Sequence, residues 1–394
     1  MQARGWIKDV MYGLIIFGIC AAVILVISVA ADNIVAKHNA VIVSKNVNSN
    51  LDYDDSLCMS VDNVSGSEND ENVNLACDGK EQDNNNINDK KIACWGDSIT
   101  YGLGGQENTY IKSEAGIIDA SNWNYPDTLR YYTGMDVYNL GVCGETSYEI
   151  ALRQGGIKMY VGKQVTVKPG KRTQISIVDE SGNPVILENF NGYETDNQQP
   201  ENVVYINDIP FKLEYDNSRI YISIYDNAVD KSVKLKKGSQ IITKAAHDIS
   251  GDVLVIQMGS NGGWNNYDEL IEQYKAMIAN SGTECYIIIG DTDNPEESVD
   301  SANYTSGQKI GTDDSMWEAA LREAFGEHFI NMRTYLLENA LNIAGLEPTQ
   351  MDEEDLSQGR VPETIKYDYT HLNSYGYYAI GYGVYEKGLE LGYW

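Results

Sequence analysis

The sequence predicts an α/β fold with a parallel sheet for residues 91–156 and 248–394. Several short apolar runs are continuous rather than alternating, which is typical of strands buried on both faces of a parallel sheet. Segments with helical periodicity lie between or after these runs, and strand–helix alternation predicts right-handed crossovers. The predicted strands are KIACW, DVYNL, DVLVIQM, ECYIII and HFINM.

The predicted helices have one apolar face each. In YDELIEQYKAMIANSG the apolar residues recur at helical spacing, and Gly282 is expected to end the helix. The residues on that face are Leu270, Ile271, Tyr274, Met277 and Ile278. SMWEAALREAF and TYLLENALNIAG have the same pattern.

Residues 157–247 interrupt this rhythm with alternating polar and apolar residues, as in TQISIVDESGNPVIL. Turn signals such as VKPGK, ESGNP and YDNSR separate stretches rich in β-branched and aromatic residues. The segment therefore predicts a small all-β insertion, a sandwich or a barrel-like module. It contains no obvious catalytic cluster.

Residues 1–31 contain an uncharged apolar run, VMYGLIIFGICAAVILVISVAA, after Arg4 and Lys8. A run of about 20 apolar residues is long enough to span a bilayer as a helix. The basic flank predicts a single-pass signal anchor with a cytoplasmic N-terminus and the rest of the chain extracellular. A cleaved signal peptide is the alternative, since SVAAD offers small residues to a peptidase. Both alternatives export the remainder.

Residues 32–90 are rich in Asn, Asp and Ser and poor in apolar residues. Such a composition predicts a disordered acidic linker between the membrane and the folded part. The formal net charge of the chain is −29, which argues against a nucleic-acid partner because phosphate binding requires clustered Lys and Arg.

The cysteines and histidines do not predict a metal site. Among the six cysteines no CxxC pair occurs, and the four histidines are scattered along the chain. Cys58 and Cys77 are both in the linker, and the sequence does not decide whether they form a disulfide. Cys94, Cys143 and Cys285 lie in or beside predicted strands and are expected to be small buried residues.

The stretch KIACWGDSIT ends a predicted strand in Gly96, Asp97 and Ser98. This ending indicates either a plain turn or a serine held at the strand end for nucleophilic chemistry. A nucleophilic serine needs a base within hydrogen-bond reach and a group that orients the base. Asp368 and His371, in KYDYTHLNSYGY, have a spacing that lets one loop present both. Alone, they would be interpreted as a capping acid and a surface histidine.

Acyl transfer also needs hydrogen-bond donors aimed at the developing oxyanion. YNLGVCGETS offers the backbone N–H of Gly144, and VIQMGSNGGW offers the side-chain amide of Asn261. These segments follow predicted strands, and the carboxyl ends of parallel strands meet at the edge of the sheet where ligands bind.

The ordered set of GDS, NLGVCGET, GSNG and Asp-x-x-His resembles the SGNH hydrolases, also called the GDSL esterase family. The resemblance covers residues 91–156 and 248–394 and implies a flavodoxin-like three-layer α/β/α sandwich without metal or organic cofactor. It implies Ser98 as nucleophile, His371 as base and Asp368 as its orienting acid. The implied oxyanion donors are the N–H groups of Ser98 and Gly144 and the amide of Asn261.

Two positions depart from the common family pattern. Ile99 replaces the leucine of the GDSL string, and Gly262 stands where an aspartate often follows the asparagine. Trp264 and Trp123 are candidates for lining the substrate site, although simple packing explains each tryptophan equally well.

The first functional hypothesis is an exported serine esterase that removes short acyl groups, such as acetyl, from a carbohydrate or cell-wall polymer. The alternatives are an O-acyltransferase or lipid esterase of the same fold, or a non-catalytic surface module that binds glycan. The complete set of five site residues favours an enzyme over a binding module.

Overall fold

The computed structural model describes residues 90–113, 116–185, 202–216, 219–294, 298–299 and 315–394. The predicted anchor and nearly all of the linker, including Cys58 and Cys77, lie outside the described residues. Within the described ranges, no helix is both long and apolar enough to cross a membrane. The three cysteines in these ranges form no disulfide; Cys94 is buried as expected, whereas Cys143 and Cys285 are only half-buried.

The strands alternate with helices in the first and last parts of the described chain and follow one another closely between them. The strands are β1 (Lys91–Gly96), β2 (Tyr110–Ser113), β3 (Gly116–Asp119), β4 (Asp136–Gly141), β5 (Met159–Val161), β6 (Val165–Val167), β7 (Thr173–Ile175), β8 (Ile177–Val178), β9 (Val203–Ile206), β10 (Ile209–Asp216), β11 (Arg219–Ile224), β12 (Val233–Leu235), β13 (Gln240–Thr243), β14 (Val253–Gln257), β15 (Tyr286–Ile289) and β16 (Phe329–Ile330).

The α-helices are α1 (Ser98–Tyr101), α2 (Tyr125–Thr133), α3 (Ser147–Gln154), α4 (Lys244–Asp248), α5 (Tyr267–Ser281), α6 (Met316–Phe325), α7 (Met332–Ile343), α8 (Gln350–Ser357) and α9 (Ser374–Glu390). Short 3₁₀ turns cover Tyr225–Asn227, Gly326–His328 and Glu363–Ile365.

The main sheet has five parallel strands in the order β16-β15-β14-β1-β4, and all five were predicted from the sequence. The α/β class with a parallel sheet is therefore confirmed. From β1 the chain goes first to its neighbour β4 on one side and later to β14 on the other side. This reversal of direction is a topological switch point, where a crevice opens at the carboxyl ends of the strands.

The continuous apolar runs are explained by burial of both faces of the sheet. Alternate residues of β1 belong to two different hydrophobic clusters: Ile92 and Cys94 to one, Ala93 and Trp95 to the other. The first cluster includes side chains of α2, α7 and α9, and the second includes side chains of α3, α5 and α6. Neither face of β1 is exposed, so a polar residue has no favourable position in either register.

Helix α5 begins and ends where its sequence predicts. Asn266 caps its N-terminus by accepting from the N–H of Glu269, and Gly282 ends it in the left-handed region at φ 72°. Four of the five predicted apolar residues are buried, and Ile278 packs at the edge of the cluster. Gln273 is also buried on this helix, where its side chain donates to the Gly263 carbonyl at 2.9 Å.

Between β4 and β14, the described parts of residues 157–247 carry nine strands, all paired antiparallel. Seven form one sheet in the order β7-β11-β10-β9-β13-β5-β8, and β12 pairs with β6. Its two end strands, β7 and β8, are separated by Ser176 alone, so the sheet must curl round on itself. This part has its own apolar core, including Phe211, Val204 and Ile222.

Candidate active site

The turn after β1 places a serine at the start of a helix. A Cβ at Gly96 would collide with Thr100 Oγ1 and with the Gln257 carbonyl oxygen, so only glycine fits between the strand and α1. Asp97 caps α1, its Oδ1 accepting from the N–H of Ile99 at 3.0 Å. Ser98 is the first residue of the helix and is 6% exposed.

Ser98, His371 and Asp368 form one hydrogen-bonded chain. Ser98 Oγ lies 2.9 Å from His371 Nε2. On the other side of the ring, His371 Nδ1 lies 2.9 Å from Asp368 Oδ2 and 3.0 Å from Oδ1. A carboxylate only accepts, so Nδ1 carries the proton and Nε2 of the neutral ring accepts from the serine hydroxyl. The arrangement can remove a proton from Ser98.

The loop that carries Asp368 and His371 is folded around the Asp368 carboxylate. Asp368 Oδ1 accepts from the N–H groups of Thr370 at 2.9 Å and His371 at 2.7 Å. Tyr367 N–H donates to the His371 carbonyl at 2.9 Å and closes the loop. Partial burial raises the pKa of Asp368, but the hydrogen bonds from His371 and Thr370 outweigh burial and lower it below its ordinary value. The three-residue spacing between Asp368 and His371 thus lets one carboxylate bind both the backbone of the loop and the imidazole ring.

The predicted oxyanion donors lie on neighbouring segments of the switch point. Gly144 follows β4 with φ 79°, a conformation that favours glycine. Among the described residues, neither the Ser98 nor the Gly144 N–H has an acceptor. Asn261 Nδ2 donates to the Glu145 carbonyl at 3.1 Å and to Asp97 Oδ2 at 3.3 Å. The Asn261 amide therefore connects Asp97, which directly follows β1, to Glu145, which directly follows Gly144.

Asp97 is a site residue that sequence reasoning passed over as part of the turn. It is fully buried, and it receives the Asn261 amide as well as the N–H that it caps. Burial raises the pKa of Asp97 to about 7, opposed by the Ile99 hydrogen bond and reinforced by the Asp291 carboxyl.

A buried ion pair under the site was also not predicted. Glu145 and Arg153 are both 0% exposed, and the guanidinium contacts the carboxylate at 2.7–2.9 Å. Burial raises the pKa of Glu145, and Arg153 opposes that rise. A signal was present, since Arg153 follows Ile150 by three positions and so shares the apolar face of α3. A charge on such a face requires a buried partner.

The two tryptophans proposed to line the substrate site both make packing contacts. Trp264 donates from Nε1 to the Gly259 carbonyl at 3.0 Å and packs against the buried Trp317, with the two ring centroids 5.3 Å apart. Trp123 packs against Tyr131 at 5.4 Å and Tyr378 at 6.4 Å, beside the β2–β3 hairpin. Trp264 belongs to the Asn261 loop, whereas the ring contacts of Trp123 are with α2 and α9.

His247 and His328, the two other histidines among the described residues, make ordinary structural contacts. His328 Nδ1 lies 2.9 Å from the Tyr393 hydroxyl and 3.0 Å from the Tyr286 carbonyl. His247 stacks on Tyr205 with ring centroids 3.9 Å apart. In the part of the chain that the structure covers, no group of three or more His, Cys, Asp or Glu is placed to hold a metal ion.

No protein-family model matches the chain, and no curated protein is significantly similar to it. Among solved structures, one similar chain is from Desulfitobacterium hafniense DCB-2, provisionally described as a lipolytic protein of the G-D-S-L family. The two chains share 11% identity with a TM-score of 0.35 over 76% of this chain and 99% of that chain. A likeness this distant assigns no residue roles.

Proposed function

We propose that the chain is a serine esterase of the SGNH type, with a flavodoxin-like three-layer α/β/α domain and an all-β insertion at residues 157–247. The observation that carries the proposal is the hydrogen-bonded chain from Ser98 Oγ through His371 to Asp368. These three side chains lie at the switch point of the sheet, beside backbone N–H groups that have no acceptor among the described residues. This placement also supports nucleophilic attack on an ester.

In the proposed reaction, Ser98 Oγ attacks the ester carbonyl carbon while His371 Nε2 takes the hydroxyl proton. The carbonyl oxygen becomes an oxyanion that accepts from the N–H groups of Ser98 and Gly144 and from the Asn261 amide. To donate to it, the amide keeps its bond to the Glu145 carbonyl and releases its longer, 3.3 Å bond to Asp97 Oδ2. The protonated imidazole then gives its proton to the leaving alcohol, and an acyl-serine remains. Water gives a proton to His371 Nε2 as it attacks this acyl group, and the imidazolium returns that proton to Ser98 Oγ as the acid leaves. Asp368 holds the ring and stabilises its positive charge.

The proposed substrate is a short acyl ester, such as an acetyl group, on a carbohydrate or cell-wall polymer. Two exposed aromatic side chains flank the acid of the triad, with Tyr367 56% and Tyr369 69% exposed. Leu103, 38% exposed, follows the nucleophile helix. Aromatic rings with a polar tip suit a partly wet contact with a polymer. The net charge of −29 favours a neutral polymer over a polyanion.

We also propose, from the sequence alone, that residues 1–31 anchor the protein in the cell membrane and that the enzyme acts outside the cell. Residues 32–90 would then give the catalytic domain reach toward a surface polymer. Transfer of the acyl group to an acceptor alcohol would use the same acyl-serine and differs only in what attacks it.

The test is hydrolysis of aryl esters from acetate to octanoate by the full chain, beside Ser98→Ala and the control Ser181→Ala in an exposed turn of the insertion. Acetate turnover that Ser98→Ala abolishes and Ser181→Ala keeps supports a serine esterase with a small acyl site. A preference for octanoate favours a lipid esterase, and turnover only with an added alcohol favours a transferase. No turnover by a folded chain under either condition favours a binding module.

A further inference from the structure

We propose that the buried ion pair Glu145–Arg153 positions the oxyanion donors of this site, an inference that rests on the proposed function. Neither residue is placed to touch the reacting atoms, and both act through Asn261 and the Gly144 loop.

The ion pair is held at the base of the loop that carries Gly144. Arg153 Nε contacts both oxygens of the Glu145 carboxylate at 2.9 and 2.8 Å, and its Nη2 contacts Oε2 at 2.7 Å. The same Nη2 donates to the Leu140 carbonyl, near the end of β4, at 2.8 Å. Arg153 therefore connects the end of the strand to the residue directly after Gly144. The planar, forked guanidinium makes this geometry specific to arginine.

The pair is linked to Asn261 through the backbone of Glu145. The Glu145 carbonyl accepts from Asn261 Nδ2 at 3.1 Å, and Asp97 Oδ2 accepts from the same nitrogen at 3.3 Å. Because the side chain of Glu145 is fixed by Arg153, its carbonyl is a fixed anchor for the amide. The Gly144 N–H and the Asn261 amide, which lie on separate loops, are thereby both held by the buried Glu145–Arg153 pair. Donors must be held near their productive geometry for an oxyanion site to be effective.

The chain contains a matched control for this pair. Glu318 and Arg333 are 2% and 1% exposed, and Arg333 Nε and Nη2 contact the carboxylate at 2.8 and 2.7 Å. Glu318 belongs to the capping box of α6 with Ser315 and makes no hydrogen bond to the triad or the donor residues. Both pairs have the same chemistry and similar burial. The hydrogen bonds of Glu145–Arg153 reach Leu140 and, through the Glu145 carbonyl, Asn261, whereas the Glu318 carboxylate accepts from Ser315 N–H and Arg333.

The experiment measures aryl acetate hydrolysis and, independently, the rate at which a fluorophosphonate labels Ser98, followed by mass spectrometry. In labelling, Ser98 Oγ bonds to phosphorus, fluoride leaves and the hydroxyl proton passes to His371, so no natural substrate is needed. The variants are Arg153→Lys, Glu145→Gln and the double variant Glu145→Leu/Arg153→Met, which leaves no charge buried without a partner. The same three changes are made at Glu318 and Arg333, and Tm is measured for all.

We expect the Glu145–Arg153 variants to lower kcat and the labelling rate roughly 10- to 100-fold with little change in KM, since displacing donors costs less than the 10²–10³ typical of deleting one. The Glu318–Arg333 variants should lower Tm comparably and leave both rates nearly unchanged. In an Asn261→Ala background, the loss caused by Arg153→Lys should shrink, because the two changes act on one support.

Each remaining outcome contradicts a definite part of the inference. Equal rate losses in the two series would mean that the pair is merely structural, and an Arg153→Lys loss of full size in the Asn261→Ala background would mean that the pair does not act through Asn261. If the double variant at 145 and 153 folds and labels at the wild-type rate, the pair positions nothing. Wild-type protein whose Ser98 is not labelled would overturn the proposed function together with this inference.

Discussion

Asp368 holds His371 both by its ring and by its backbone. The carboxylate lies 2.9 and 3.0 Å from the imidazole Nδ1, while its Oδ1 also accepts from the His371 N–H at 2.7 Å. The same oxygen therefore folds the loop and fixes the tautomer of the base. This dual role separates two variants that would otherwise be expected to behave alike.

Asp368→Asn should lower kcat by roughly 10³–10⁴ while Tm stays near the wild-type value. The asparagine oxygen can still accept from Thr370 and His371, but its NH₂ facing Nδ1 favours the tautomer with a proton on Nε2, which cannot take one from Ser98. Asp368→Ala should lose as much activity and also lower Tm, since both backbone N–H groups lose their acceptor. Kinetics and thermal unfolding of the two variants check this. Asparagine activity within tenfold of wild type would show that the carboxylate does not set the tautomer.

Asn261→Ala should lower kcat/KM for aryl acetate by roughly 10²–10³, the usual loss for one oxyanion donor. The control is Asn265→Ala on the same loop, an exposed residue whose amide donates to Glu269 Oε2 at 2.9 Å and to no site residue. The control should keep nearly full activity. Equal losses in both variants would assign the effect to disturbance of the loop, and no loss in either would remove Asn261 from the reaction.

The fold was predictable because its strands are buried on both faces. Ile92 and Ala93 face opposite clusters, so the whole run had to be apolar, and such a run is visible without knowing any partner. The curl of the inserted sheet was not predictable in detail. The curl arises because β7 pairs with β11 (Arg219–Ile224) while β8 pairs with β5 (Met159–Val161), and these two partner strands are far apart along the chain. Alternation of polar and apolar residues reveals strands but not which strands pair.

The grouping of the candidate site residues was predictable to the extent that these residues fall at strand ends or within one short loop. Ser98 and the pair Asp368–His371 meet these conditions. The support formed by Asp97, Glu145 and Arg153 does not, because its contacts are made across three loops and through a backbone carbonyl. A sequence shows that a charge lies on an apolar face, but the partner is known only when the strand order is known.

Gly104→Ala should disturb the loop of the base from a distance in sequence. Gly104 has φ 101°, and a Cβ there would lie 2.6 Å from Tyr367 Cβ and from the Leu372 carbonyl oxygen. These residues bracket Asp368 and His371, so we expect a loss of roughly 1–3 kcal/mol in the free energy of unfolding and a lower kcat. Denaturant unfolding and aryl acetate kinetics measure both.

The control for that prediction is Gly134→Ala, at φ 66° with no atom within 4 Å of its Cβ. It carries a backbone penalty without a collision, so it should lose stability and keep kcat. If Gly104→Ala keeps wild-type kcat as well, the contact between the Gly104 turn and the Tyr367–Leu372 loop does not position the base.

Asp97 should make the stability of the protein depend on pH in the direction opposite to most carboxylates. Burial raises its folded pKa to about 7, whereas an unfolded aspartate ionises near pH 4. Between these values the native state holds a proton that the unfolded state has released, so rising pH favours unfolding.

Relative to Asp97→Asn, the wild-type free energy of unfolding should fall by up to roughly 4 kcal/mol from pH 4 to 7 and then level off. Glu145 and Asp291 are present in both proteins, so the comparison reports Asp97 together with its coupling to these two carboxyl groups. Denaturant unfolding at half-unit pH steps measures it, with Asp119→Asn as the control, since hydrogen bonds from Ser121 lower the pKa of that exposed aspartate. A wild-type difference from Asp97→Asn that stays constant across this range would mean that Asp97 is ionised throughout, held as a carboxylate by Asn261 and the Ile99 N–H.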